Sequence, residues 1–273
     1  MSEFLILAGA VLRGMGADGR FVIDTLEKEG VDCRHVDIDT AHPTGFQLKS
    51  RTDDGDDPRV EYFRRGSAAS FLAPQSIVAE LLGARHLHAT GVFAAVSAST
   101  LALTQKSMEL MRAAGRSVSF DPNLRPSLWA STAHMRESIN NLAARADWVL
   151  PGLEEGHLLT GEHSPEGIAR FYRGRGAKAV VVKLGSEGAY FDSAEGSGHV
   201  PGFAVAEVVD TVGAGDGFAV GVISALLEGM SVAWQPAAVP APRWLHLNRT
   251  LAGELGLDAD ALASDEGLSV FAG

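Results

Sequence analysis

The fold prediction starts from the stretch Val208-Val209-Asp210-Thr211-Val212-Gly213-Ala214-Gly215-Asp216-Gly217-Phe218. It predicts an extended approach, a glycine-rich turn and then a helix from Asp216 to about residue 227. The first amides of a helix have no intrahelical partner and lie at the positive end of its dipole, so this turn favours an anion. We expect Asp216 to take a proton from a hydroxyl that attacks a phosphoryl group, while the turn amides stabilise the charge that develops.

The same residues also admit a purely structural interpretation, in which the glycines form a tight turn and Asp216 caps the helix. Short glycine-rich strings match by chance, so residues 213–216 alone do not separate the two interpretations. The phosphate loop GxxxxGK[ST] is not present in the sequence. The functional interpretation therefore depends on the longer string around Asp216.

Strand and helix patterns alternate along most of the chain. Strands are predicted at residues 4–9, 86–91, 117–121, 148–150, 179–182, 188–191 and 205–209. Helices are predicted from 21 to about 30 and at 77–82, 100–114, 135–146, 154–160 and 165–173, with a flexible link at 14–19. This alternation predicts an α/β fold with a doubly wound, mostly parallel sheet flanked by helices. Such sheets bind ligands at the carboxyl ends of their strands.

Residues 43–66 have a different pattern. Apolar and polar residues alternate at 43–48 and 59–63, on either side of an acidic turn at 52–58. This pattern predicts a β-hairpin. Its exposed strand edges favour pairing with a second copy of the chain, as a homodimer or a higher homo-oligomer.

Composition limits the class of protein. The chain has 273 residues, of which 46% are hydrophobic and 21% charged, and this suits one large globular domain over 1–273. The net charge of -11 argues against a nucleic-acid surface, and no apolar run is long enough to span a membrane. Cys33 is the only cysteine, which excludes an intrachain disulfide and fits a cytoplasmic location. His86 and His88 share one face of a predicted strand, but no third metal ligand follows nearby, so we expect packing or surface roles for them.

Two segments place arginines where a ligand is expected. Arg125 lies in the loop Asp121-Pro122-Asn123-Leu124-Arg125-Pro126, directly after a strand, and its forked donors suit a carboxylate or a phosphate. A rigid loop with a structural salt bridge is the alternative. Tyr62 and Arg64 are two residues apart on the hairpin and therefore share a face, although an aromatic ring packed under a surface arginine would have the same spacing.

The string Asp-Thr-Val-Gly-Ala-Gly-Asp-Gly-Phe at 210–218 resembles the C-terminal motif of the ribokinase-like (phosphofructokinase B) carbohydrate kinases. In that family the last Asp of the motif is the catalytic base and the glycine turn is the anion hole. The resemblance implies the first role for Asp216 and the second for Gly213, Ala214 and Gly215. It extends over about residues 14–229 and implies ATP as a substrate and Mg²⁺ as a cofactor.

Within this family, the loop at 121–126 and the segment at 62–70 resemble the D-x-N-x-R and Tyr-x-Arg...Ser-Ala segments of the 2-keto-3-deoxygluconate kinases. The resemblance implies that Tyr62, Arg64 and Arg125, together with Asp216, contact the substrate, and that the hairpin is a small β lid. Two arginines from separate segments suit a substrate that carries a carboxylate. We therefore expect a sugar acid as the small-molecule partner, beside ATP.

Two weaker resemblances concern the nucleotide and the metal. Lys183-Leu184-Gly185-Ser186-Glu187-Gly188 is similar to the family's K-x-G-x-x-G segment, which implies nucleotide-binding roles for Lys183, Gly185 and Gly188, beside Gly213 and Gly215. A β-hairpin turn is the alternative.

Pro151-Gly152-Leu153-Glu154-Glu155 is similar to the family's N-x-x-E segment, with Gly152 in the place of the Asn. The resemblance implies that Glu155 helps to hold Mg²⁺ through water. Two solvent-facing glutamates in a first helical turn are the alternative.

Both ends of the chain depart from the family pattern. The first strand with an acidic residue and the GGxxxN segment are not found, and three prolines at 236–242 interrupt the helix expected in the atypical segment 231–273. The leading hypothesis is ATP-dependent phosphorylation of 2-keto-3-deoxygluconate to its 6-phosphate. A kinase for a neutral sugar such as fructose or ribose, and a non-catalytic relative that binds a sugar or a nucleotide, remain open.

Overall fold

A computed structural model describes residues 12–13, 17–49, 60–202 and 213–229. The chain forms two compact units, Met1–Ala146 and Asp147–Gly273. Several predicted features lie outside the described residues: the strands at 4–9 and 205–209, the acidic turn at 52–58, the approach to Gly213, and the proline-containing segment after Met230.

The described residues of the first unit form three pairs of strands and four α-helices. Its strands are β1 (Leu12–Arg13), β2 (Ile38–Asp39), β3 (Phe46–Lys49), β4 (Val60–Phe63), β5 (His86–Thr90) and β6 (Ser117–Asp121). Its helices are α1 (Ala17–Lys28), α2 (Gly91–Ala94), α3 (Ala98–Ala113) and α4 (Thr132–Ala143). β1 and β2 are parallel, as are β5 and β6. β3 and β4 are antiparallel, which confirms the predicted hairpin.

The core of the first unit is formed by apolar side chains that repeat at helical spacing. Met108 and Met111 of α3 and Met135, Ile139 and Leu142 of α4 are fully buried. Both helices start at a serine, because the Oγ atoms of Ser97 and Ser131 accept hydrogen bonds from amides in the first turn. These caps and apolar stripes explain why the sequence predicted α3 and α4 to within three residues at either end.

The second unit continues the alternation of strands and helices. Its elements are β7 (Trp148–Val149), α5 (Leu153–Thr160), α6 (Pro165–Arg173), β8 (Ala179–Lys183), β9 (Ala189–Ser193), β10 (Gly196–Val200) and α7 (Ala214–Leu227). β7 and β8 are parallel, whereas β8, β9 and β10 form an antiparallel series. Val180 and Val182 of β8 are fully buried, as the continuous apolar run predicted.

Three expectations about individual elements were wrong. The link at 14–19 ends sooner, since α1 already begins at Ala17, a residue with high helix propensity. The predicted helix at 77–82 is replaced by 3-10 turns at Pro74–Ser76 and Ala79–Gly83. Ile77 and Val78 between them are extended, as β-branched residues prefer. β10 was not predicted, because its two glycines conceal the alternation of a strand.

Candidate active site

The first unit brings together the three residues that were predicted to hold a sugar acid. Nε of Arg125 donates a hydrogen bond of 2.6 Å to the hydroxyl of Tyr62. The guanidinium carbon of Arg125 lies 5.9 Å from the centre of the Tyr62 ring, and that of Arg64 lies 4.9 Å from it. The ring of one tyrosine therefore contacts two cations that come from separate parts of the chain.

The hairpin and the loop after β6 position these side chains. Tyr62 lies on β4 and Arg64 directly follows this strand, and the contact between them agrees with the shared face that the spacing predicted. The loop turns sharply after Asp121, whose Oδ1 accepts a hydrogen bond of 3.0 Å from the amide of Asn123. Asn123 has a φ of 37°, in the left-handed region that Asn tolerates better than most residues. Arg65 also joins the hairpin to this loop, because its Nη2 donates a hydrogen bond of 2.8 Å to the carbonyl of Leu128.

The two arginines form a positive site. Among the residues that the structure describes, no carboxylate forms an ion pair with Arg64 or Arg125. The structural salt bridge considered for Arg125 is therefore not found there. Burial lowers the pKa of the Arg64 guanidinium, the Tyr62 hydroxyl raises it, and the charge of Arg125 lowers it. Since arginine stays charged in proteins, this arrangement favours an anion between or beside the two guanidinium groups.

The second unit contains the glycine turn and Asp216. Gly213 is the N-cap of α7, with a φ of 81° that glycine adopts without strain. The first intrahelical hydrogen bond runs from the amide of Gly217 to the carbonyl of Gly213, so the amides of residues 214–216 precede it at the helix start. Asp216 is the third residue of the helix and is exposed. The alternative in which Asp216 is the helix cap is therefore wrong, because Gly213 occupies the N-cap position.

A hydrophobic cluster holds α7 in place within the second unit. Ala219 and Ile223 of α7 belong to the same buried cluster as Val181 of β8 and Phe191 of β9. A Cβ added at Gly215 would lie 3.7 Å from Nζ of Lys183, at the carboxyl end of β8. The ammonium group of Lys183 is therefore close to the start of α7. An ammonium beside a helix N-terminus provides the donors and the positive charge that a phosphate group requires.

The segment from Lys183 to Gly188 forms the turn between the antiparallel strands β8 and β9, so its structure is the β-hairpin turn given as the alternative. Gly188 has a φ of 97°, and a Cβ there would overlap with the carbonyl oxygen of Val200. Close backbone packing thus explains why a glycine is required at position 188, without a role in ligand binding. At Gly185, with a φ of 61°, a Cβ would meet nothing within 4 Å. Nucleotide binding by Lys183, Gly185 and Gly188 stays a prediction.

Glu155 takes part in the start of α5. Its Oε2 accepts a hydrogen bond of 2.8 Å from the amide of Gly152, the N-cap residue. Burial, and after it the charge of Glu155, raises the pKa of the buried Tyr172 hydroxyl. The side chain of Glu155 is half-buried, whereas that of Glu154 is 90% exposed. The alternative of two solvent-facing glutamates therefore describes Glu154 only, and the metal role of Glu155 stays a prediction.

No direct metal site is found in the described part of the chain. No group of three His, Cys, Asp or Glu side chains there could hold a metal ion. His86 and His88 both contact the hydroxyl of Ser119 on β6, at 2.7 Å each, in keeping with the packing role expected for them. Over the same described residues, no helix is long and apolar enough to cross a membrane.

Comparison with known proteins assigns the family. The family model described as pfkB family carbohydrate kinase matches residues 12–234. The chain belongs to this family. The match includes every residue predicted for the site.

The 2-dehydro-3-deoxygluconokinase of Bacillus subtilis (strain 168) is 51% identical over 215 residues, which cover 78% of this chain and 66% of that protein. The chain thus spans slightly less than two thirds of the length of this relative. A crystal structure of a PfkB protein from Polaromonas sp. JS666 is 61% identical, with a TM-score of 0.75, and the match covers 82% of this chain and 73% of that one.

A third similar protein is a ribokinase II candidate from E. coli, solved in complex with ATP and Mg²⁺. It is 27% identical with a TM-score of 0.72, over 81% of this chain and 70% of its own. These structures confirm the predicted ribokinase-like α/β fold with its mostly parallel sheet. The resemblance to 2-keto-3-deoxygluconate kinases, for which 2-dehydro-3-deoxygluconokinase is a synonym, is also confirmed.

Two residues of the first-unit cluster were not identified from the sequence. Gln47 contacts Arg64, and Arg65 contacts the loop after β6. The alternation of residues in β3 predicts which residues of that strand share a face with Gln47. Whether Tyr62 of β4 lies on the same face depends on the register of the hairpin. The segment offered no pattern that could reveal the contact from Arg65 to a backbone carbonyl.

Proposed function

We propose that this chain is an ATP-dependent kinase that phosphorylates the 6-hydroxyl of 2-keto-3-deoxygluconate. The observation that carries the proposal is the pair of guanidinium groups on Tyr62, without a carboxylate partner among the described residues. A neutral sugar has no group that would compensate two neighbouring cations, whereas the carboxylate of a sugar acid does. The name of the Bacillus subtilis relative agrees with the same substrate.

The first unit is assigned to the sugar acid. Arg64 and Arg125 donate hydrogen bonds to the carboxylate, and Arg125 keeps its contact with the hydroxyl of Tyr62. Arg64 comes from the hairpin and Arg125 from the loop after β6. The substrate carboxylate is therefore bound by two separate segments of the chain. Such a contact orients the far end of the sugar acid and contributes to the binding energy that positions the reacting hydroxyl.

The second unit is assigned to phosphoryl transfer. The carboxylate of Asp216 accepts the proton of the 6-hydroxyl as its oxygen forms a bond to the γ-phosphorus, and the bond from that phosphorus to the β,γ-bridging oxygen breaks. The products are the 6-phosphate of the sugar acid and ADP. The amides of Gly213, Ala214 and Gly215, at the positive end of α7, stabilise the charge on the transferring group.

ATP is the phosphoryl donor in this proposal, and Mg²⁺ would neutralise its phosphate charge. Lys183 offers an ammonium group beside Gly215, where it would contact a phosphate oxygen. Gly185 lies in an open turn that a nucleotide can approach closely. Glu155 would contact the metal through water, while its Oε2 accepts the Gly152 amide.

The test is ATP consumption by the purified chain with Mg²⁺ and 2-keto-3-deoxygluconate, with fructose and ribose in parallel. Turnover with the keto acid alone is the expected result. Turnover with fructose or ribose at equal or higher kcat/KM would replace the proposal with a neutral-sugar kinase. A folded sample without turnover, but with thermal stabilisation by a sugar or a nucleotide, would identify a non-catalytic binding protein instead.

A second copy of the chain is proposed as a macromolecular partner. On the hairpin face opposite to Tyr62, Phe46 and Phe63 stack with 4.7 Å between ring centres, and Phe46 and Leu48 are 53% and 55% exposed. Apolar side chains this exposed on a strand pair favour burial against another protein surface. Light scattering of the purified chain measures the oligomeric state. A homodimer that Leu48→Asp converts to a monomer is the expected result.

A further inference from the structure

The guanidinium of Arg64 contacts one more side chain, and that side chain has no assigned role. Nη2 of Arg64 donates a hydrogen bond of 3.1 Å to Oε1 of Gln47. Gln47 lies on β3 directly opposite Tyr62 on β4, so it shares the hairpin face of Tyr62 and Arg64. Over the described residues, Gln47 is the only hydrogen-bond partner of the Arg64 side chain.

The chemistry of this contact restricts what Gln47 can do. Arginine has donors only, so the amide oxygen of Gln47 must face Arg64 and the amide nitrogen faces away. Nη2 carries two hydrogens, so a single contact there leaves one donor edge of the guanidinium available for a bidentate contact with a carboxylate. Because the amide is neutral, it holds the guanidinium without cancelling its charge. A carboxylate at position 47 would hold Arg64 equally well but would remove its attraction for an anionic substrate.

The neighbouring charges strengthen this argument. Arg64 is half-buried, and the like charge of Arg125 disfavours its position beside Tyr62. A long side chain in such a place would turn towards solvent unless another group fixed it. The contact with the Tyr62 ring limits the position of the guanidinium, and the hydrogen bond to Gln47 limits its orientation.

We propose that Gln47 is a positioning residue that orients Arg64 towards the carboxylate of the sugar acid, and that its neutral amide maintains the preference for an acidic over a neutral substrate. This inference rests on the proposed function, since it concerns one of the two arginines assigned to the substrate. Gln47 acts through Arg64 and takes no part in phosphoryl transfer.

The experiment compares Gln47→Glu and Gln47→Met with the unaltered chain. Calorimetry measures the Kd of 2-keto-3-deoxygluconate without nucleotide, and steady-state kinetics gives KM and kcat for the same acid and for fructose. We expect Gln47→Glu to raise Kd and KM for the acid about tenfold to hundredfold, which is the range for loss of a charged hydrogen bond. Gln47→Met should raise them about threefold to tenfold. Neither change should alter kcat or the binding of fructose more than about twofold.

Two controls separate positioning from a general disturbance of the hairpin. Glu61→Gln changes the residue before Tyr62, on the opposite face of β4, and should leave Kd for the acid unchanged. In an Arg64→Ala background, Gln47→Met should lose its effect, because a residue that acts only through Arg64 has nothing left to orient.

The outcomes distinguish this inference from the proposed function. If the unaltered chain binds and phosphorylates the acid, but both Gln47 variants keep its Kd, the inference is overturned and the function stands. If the loss of affinity persists in the Arg64→Ala background, Gln47 acts independently of Arg64 and the positioning role is wrong. If the unaltered chain binds no sugar acid, the proposed function fails in that first measurement, and the inference fails with it.

Discussion

Two groups of residues are built in opposite ways. The first, the Tyr62 cluster, consists of Tyr62, Arg64, Arg125 and Gln47 in the first unit, and the second is the start of α7 in the second unit. The cluster joins side chains 63 residues apart in the sequence, and its members already hold one another through hydrogen bonds and stacking. The start of α7 uses four consecutive residues, and its carboxylate, Asp216, is exposed. The difference indicates that the first group is preorganised for recognition. In the proposed function, the second presents a carboxylate and backbone donors to a ligand that arrives with its own charge.

The largest effect is expected at Asp216. Asp216→Asn removes the proposed base with almost no change of shape, so kcat should fall by about 10²- to 10⁴-fold. The Kd of the sugar acid should stay within about threefold, because the acid is assigned to the first unit. Steady-state kinetics and calorimetry on the same sample measure both quantities. Turnover retained in the Asn variant would remove Asp216 from the mechanism.

The next effect concerns the two arginines. Arg64→Met and Arg125→Met each remove a charged hydrogen bond, worth about 1.5–3 kcal/mol, so KM for the acid should rise about tenfold to hundredfold. The value of kcat should change far less than in the Asp216 variant. Arg64→Lys and Arg125→Lys keep the charge and serve as matched controls, which should recover part of the affinity. An equal rise in KM for the acid and for fructose would show that these side chains do not recognise the carboxylate.

A smaller effect is expected at Gly91, which lies beneath the loop that carries Arg125. A Cβ there would overlap with the carbonyl oxygen of Pro122 and lie 2.6 Å from Cδ1 of Ile139. Gly91→Ala should therefore lower the free energy of unfolding by about 1–3 kcal/mol and raise KM for the acid without a comparable loss of kcat.

Denaturant unfolding and kinetics measure the two effects of this substitution. Gly83→Ala is the control, because a Cβ there would meet nothing within 4 Å. A destabilised Gly91→Ala variant with an unchanged KM would mean that the position of the loop does not affect the site.

The smallest effect is expected at Glu155. Glu155→Gln keeps an oxygen acceptor for the Gly152 amide, so stability should change by less than about 0.5 kcal/mol. If the carboxylate also contacts Mg²⁺ through water, the Mg²⁺ concentration for half-maximal turnover should rise by about tenfold or less. Glu155→Ala is the matched comparison, since it removes the cap as well. An unchanged Mg²⁺ requirement in the Gln variant would restrict Glu155 to its capping role.

Much of the secondary structure could be predicted, because its causes are local. β6, at 117–121, and α6, at 165–173, were predicted with their observed bounds, since alternating polar and apolar residues identify the strand and a Ser-Pro start identifies the helix. The failures also have local causes. In β10 the glycines conceal the strand pattern, and at 77–82 an apolar run was taken for a helix although two of its residues are β-branched.

The candidate site divides in the same way. Asp216 and its glycines are contiguous, so the sequence alone determined their place at the start of a helix and the anion chemistry that follows from it. The sequence also determined that Tyr62 and Arg64 share a face. Only the tertiary structure decided that Arg125 donates to Tyr62 and that Gln47 holds Arg64. These contacts depend on hairpin register, loop geometry and rotamer choice, and such features follow from packing between distant segments rather than from the local order of residues.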